Sequence, residues 1–94
     1  MELHELTGEI EARIRRISQT EKLSIAEIAE QKFGLTFSAL YKYMGGVRVK
    51  PRKILINTTG LRRLGPYFAQ TGDIEMLNYL ASYALGVEVE VRVK

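Results

Sequence analysis

Phe37, Ser38, Tyr41 and Lys42, directly after Thr36, are spaced so that a helix would carry them on one outward arc, with Leu40 and Tyr43 turned inward. Hydroxyl and ammonium groups on such an arc can hydrogen-bond base edges in a DNA major groove. Lys42 can donate to guanine O6 and N7, and Phe37 or Tyr41 can touch a thymine methyl. Tyr41 can alternatively donate to a phosphate oxygen. Arg48, Lys50, Arg52 and Lys53 follow at once, and their natural role beside a polyanion is charge neutralisation without base reading. Arg62 and Arg63 could extend that track.

The charge distribution agrees. The net charge is only +3, but residues 42–63 hold seven basic side chains and no acid, between flanks that each balance to −2. No acid occurs between Glu30 and Asp73. That gap predicts a one-sided positive face.

Other chemistry has little to build on. The chain has no cysteine, which excludes disulfides, thiolate metal sites and cysteine nucleophiles. His4 is the only histidine and has no partner pattern for acid–base work, and no glycine-rich phosphate loop or metal-ligand spacing occurs. Glu88 and Glu90 alternate with valines as solvent-facing strand residues do. An enzyme is not expected, nor is a cofactor or metal. No apolar run approaches the about 18 to 20 residues of a membrane span, and the acidic start Met1-Glu2-Leu3-His4-Glu5 is unlike a signal peptide. A cytoplasmic protein without membrane contact is expected.

The elements that position these residues are mostly helical. At 94 residues, 46% hydrophobic and 27% charged, the chain suits a single domain with one core. Leu3, Leu6, Ile10, Ile14 and Ile17 recur at steps of three and four, which predicts an amphipathic helix starting at Leu3 or, with Thr7 as N-cap, just after it. Residues 18–23 break that pattern. Ser24-Ile25-Ala26-Glu27 reads as a capping box opening a second helix that stops near Lys32, before Gly34. Leu35 follows as a buried plug. Thr36 then caps a third helix over 37–44, which ends at Gly45-Gly46. Residues 47–56 admit two readings: a β wing around Pro51, or a fourth helix with Pro51 in its first turn. A short helix from about Thr59 fits either, Pro66 can start a further turn, and 71–73 is a break. From Asp73, the residues Ile74, Leu77, Leu80, Ala81, Ala84 and Leu85 trace a helix that ends at Gly86. Strict valine–charge alternation over 87–94 predicts a C-terminal strand that needs a pairing partner.

Residues 23–51 resemble the helix-turn-helix of the Cro and phage-repressor (XRE-type) family over about a third of the chain. Leu23-Ser24 corresponds to the opening of the family's second helix, and Ile28-Ala29-Glu30 to its Leu/Ile-Ala-Glu core. Phe33-Gly34-Leu35-Thr36 looks like its turn, and Ser38-Ala39-Leu40-Tyr41-Lys42-Tyr43 is similar to its recognition helix. Gly46, Arg48, Lys50 and Pro51 resemble its Gly-Lys-Arg-x-Pro exit. One spacing departs from the family: Ala29 to Gly34 is five steps, where the family has four. An added residue near Lys32 would lengthen the second helix or loosen the turn.

The resemblance implies a mainly α domain of about five helices, with its helix-turn-helix core at 24–45, that reads double-stranded DNA with the helix at 36–44. Base contacts are expected from Thr36, Phe37, Ser38, Tyr41 and Lys42, and backbone contacts from Arg48, Lys50, Arg52 and Lys53. A short reading helix covers few base pairs, so a homodimer through 73–94 is expected, acting as a transcriptional regulator. The contrasting expectation is a protein-interaction or assembly module on the same scaffold.

Overall fold

Leu6, Ile10 and Ile14 recur every fourth residue and are fully buried along one side of a 19-residue helix, α1, Leu3–Glu21. The computed structural model describes residues 2–44 and 58–90. It divides into two units, Glu2–Ile54 and Leu55–Lys94.

In the first unit, α1 starts at the earlier of its two candidate positions. Thr7 lies inside the helix, buried, and its hydroxyl donates to the His4 carbonyl (3.1 Å). Ion pairs one turn apart, Glu9 with Arg13 and Glu11 with Arg15, line the polar side. The helix outruns its apolar pattern by a turn. It stops where Lys22 takes a left-handed conformation (φ 58°), and the Ser18 hydroxyl donates to the Leu23 carbonyl (2.7 Å) across that corner. Helix α2, Ile25–Ile28, runs directly into a π-helical turn, Ala29–Phe33, that ends at Gly34. Helix α3, Phe37–Tyr43, follows. α1 packs against both α2 and α3, and this unit buries Ile28, Ala29, Leu40, Tyr43 and Met44 as well as the α1 stripe.

The second unit is a helical hairpin of α4, Thr58–Thr71, and α5, Ile74–Leu85. The sequence suggested a fresh turn at Pro66, whereas α4 continues through it. Proline removes one helical N–H and crowds the preceding turn, but Pro66 is exposed while Leu64 and Phe68 beside it are buried. Burial on the opposite side holds the helix together. Gly65 is buried against α5 near Leu77. In α5 the buried side chains are Met76, Leu77, Leu80 and Ala81, so the core face is turned toward Met76 relative to the sequence reading, and Leu85 lies 59% exposed.

Five helices and no strand occur among the described residues. The expected C-terminal strand is not supported. After Gly86 (φ 72°) the chain turns back on α5, where Ser82 Oγ accepts from the Val89 N–H (3.0 Å) and donates to the Val89 carbonyl (3.3 Å). The two backbone groups that Val89 would offer to a neighbouring strand are occupied within the unit. Both readings of 47–56, and the last four residues of the predicted strand, lie outside the described residues. No helix among the described residues is long and apolar enough to cross a membrane.

Candidate nucleic-acid interface

Local capping chemistry opens α2 and then sets the corner from it into α3. Ser24 Oγ accepts from the Glu27 N–H (3.1 Å) and the Glu27 carboxylate accepts from the Ser24 N–H (3.0 Å), a closed capping box. The backbone hydrogen bond from Ser24, and after it the Ser24 side chain, holds the Glu27 carboxyl below its ordinary value.

The five steps from Ala29 to Gly34 have a definite form. A π turn carries one more residue than an α turn over the same span, and the N–H groups of both Gly34 and Leu35 converge on the Ala29 carbonyl, the latter at 2.9 Å. Gly34 closes the turn with φ 63°, the left-handed region where a side chain would be strained. Lys32 Nζ reaches back to Glu21 Oε1 (2.8 Å), tying the turn to the end of α1. The helical chain thus continues from α2 through this widened turn, and Gly34 terminates it.

Thr36 Oγ1 accepts from the Ala39 N–H (3.2 Å) and starts α3. Leu40 and Tyr43 are buried, and this sets the opposite face outward. There Thr36, Ser38 and Lys42 are exposed, Phe37 is 46% exposed and Tyr41 is half-buried. All five residues singled out for base contact therefore occupy one short segment. Phe37 and Tyr41 stack, with ring centroids 5.2 Å apart and planes at 24°. Sequence reading treated the two rings separately, although their i, i+4 spacing already made them helix neighbours.

Arg48, Lys50, Arg52 and Lys53 lie outside the described residues. Arg62 and Arg63 are exposed on α4, in the other unit. The first turn of α1 gathers Glu2, His4 and Glu5, whose ligand atoms lie within 4.8 Å of one another. All three are exposed, and such groups commonly gather without an ion. Their spacing in sequence is not metal-like because one helical turn, not a long-range motif, brings them together. No protein-family model, curated protein or solved structure matches the chain.

Proposed function

We propose that the chain is a sequence-specific double-stranded DNA-binding protein, a transcriptional regulator that lays the outer face of α3 in the major groove. The observation that carries this reading is the orientation of α3. Leu40 and Tyr43 anchor it, while Phe37, Ser38 and Lys42 are left to solvent. The acid-free span from Glu30 to Asp73 contains that helix and the basic run after it, so a polyanion meets no fixed negative charge from this stretch. A helix capped by Thr36 after a glycine-terminated turn is also the local arrangement by which helix-turn-helix proteins present a reading helix. A seven-residue helix reads only a few base pairs, so the proposal includes two copies acting on a two-fold site.

Fluorescence anisotropy against a pool of random duplex DNA tests the reading, with the salt concentration varied. Affinity should fall steeply with salt, and Lys42→Ala and Arg48→Ala should each flatten the log–log slope by about one phosphate contact. Binding that is absent, or indifferent to both substitutions, would overturn it. Sedimentation of the free chain and of its DNA complex checks the stoichiometry, and a single copy bound with full specificity would remove the dimer.

A second reading, a protein-interaction module, draws on the exposed Phe37, Leu85 and Val87. Its signature would be salt-insensitive association of the chain with a protein, lost on Phe37→Ala and kept on Lys42→Ala.

A further inference from the structure

Resting on the DNA-binding reading, we infer that the stacked Phe37–Tyr41 pair is a detector of pyrimidine C5-methyl groups, so that the specificity of α3 is carried chiefly by thymine methyls rather than by bidentate hydrogen bonds.

The composition of the reading face points there. Side chains that read bases through two hydrogen bonds are Arg and Lys on guanine, and Asn and Gln on adenine. Helix α3, Phe-Ser-Ala-Leu-Tyr-Lys-Tyr, contains no Arg, Asn or Gln, and Lys42 is its one candidate of that kind. Ser38 offers a single hydroxyl, which accepts or donates to either type of base and discriminates weakly. What the face holds in quantity is aromatic surface. The feature that such surface recognises in a major groove is the C5-methyl group, the apolar projection that distinguishes thymine from the other bases.

Geometry adds to composition. A lone exposed phenylalanine samples several rotamers and loses that freedom on contact. With centroids at 5.2 Å and an interplanar angle of 24°, each ring limits the other before any ligand arrives. The pair sits one helical turn apart on the same side of α3, and Lys42 follows Tyr41 directly. Lys42 points about 100° further round the helix, where its ammonium is free to meet a phosphate or a guanine edge while the rings meet a methyl. Phe37 remains 46% exposed although Leu40, three residues on, is fully buried. The ring is thus available to a ligand without disturbing the core.

The test uses the full chain and the best duplex selected from a random pool. Each thymine of that site is replaced in turn by deoxyuridine, which deletes the C5-methyl and keeps Watson–Crick pairing. Affinity should fall about fourfold for each methyl in contact, the factor expected for losing one buried carbon group. Phe37→Ala should bind thymine and uracil duplexes alike while its circular dichroism stays that of the parent. Tyr41→Phe keeps the ring and should keep the discrimination. A selected site without thymine, uracil duplexes bound as tightly as thymine duplexes, or discrimination that survives both Phe37→Ala and Tyr41→Ala would overturn the inference and leave DNA binding standing. Failure of every duplex to bind would overturn both.

Discussion

The corner between α2 and α3 and the corner between α4 and α5 each reverse a helical chain through a glycine of positive φ, Gly34 at 63° and Gly72 at 76°. They are held by different means. The first adds polar contacts to the burial of Ile28, Ala29 and Leu40: two N–H groups on the Ala29 carbonyl, Thr36 as cap and Lys32 tied to Glu21. The second has its own cap, Asp73 accepting from the Met76 N–H (3.1 Å), and a hydrogen bond from the Asp73 N–H to the Phe68 carbonyl (2.9 Å). Beyond these it rests on Leu64, Phe68, Met76, Leu77 and Leu80, buried between two longer helices. A polar corner leaves a helix free to present its outer face. An apolar corner uses its helices on each other.

That difference is open to measurement. The largest effect should come from Leu40→Ala, about 2–5 kcal/mol of lost stability, because α3 has only Leu40 and Tyr43 buried along its length. Hydrogen exchange should show the α3 amides released. In Leu80→Ala, of similar cost, Met76, Leu77 and Ala81 should keep α5 protected, and equal loss of protection in the two helices would erase the contrast. Ser24→Ala should cost about 1 kcal/mol in denaturant unfolding by opening the capping box. Its partner Glu27 supplies the pH signature. Since the folded state lowers this carboxyl's pKa, its contribution is present above the ordinary carboxylate pKa and is lost as pH falls through the lowered folded value. The gap in melting temperature between the parent and Glu27→Gln should close on acidification, and a gap independent of pH would refute the role given to the box. At the apolar corner, Gly65→Ala sets the gain in helix propensity against crowding of the new Cβ by the Pro66 ring that follows it, so the net change should stay within about 1 kcal/mol of zero. A Cβ there would stand 3.5 Å from Leu61 and 3.8 Å from Leu77, ordinary contact distances. A larger loss, not relieved when Pro66 is also changed to alanine, would mean that α4 and α5 approach more closely than these distances describe. Glu21→Gln should be the mildest change, below about 0.5 kcal/mol, because its pair with Lys32 is partly exposed.

What could be read from the sequence was local chemistry. Ser24, Thr36 and Asp73 act as side-chain caps and Gly34 and Gly86 as left-handed terminators, because each motif is decided by a few neighbouring atoms. The outward arc of α3 was legible for the same reason, since Leu40 and Tyr43 fix the inward side of so short a helix. Longer-range choices were not. Valine alternation in 87–90 specifies which side chains share a face, but a strand also needs a neighbour's backbone, and Ser82 engages both polar groups of Val89 instead. Proline at position 66 looked like a boundary until burial of Leu64 and Phe68 overrode it. The turn of α5's core face toward Met76 depends on where α4 lies, and no periodicity within α5 contains that information.

The π turn also bears on how this chain should be aligned with others. A residue added to a surface loop leaves the flanking helices in register, so an alignment gap belongs in the loop. Here the surplus residue is taken up within Ala29–Phe33, upstream of the glycine terminator. Against a chain whose second helix is regular, the gap therefore falls inside the helix. Placed at Gly34 instead, it would shift the residues between the widened turn and Gly34 by one position, about 100° around a helix. Phe33 would then be paired with the counterpart's terminator, although buried Ala29 and every residue of α3 were matched correctly.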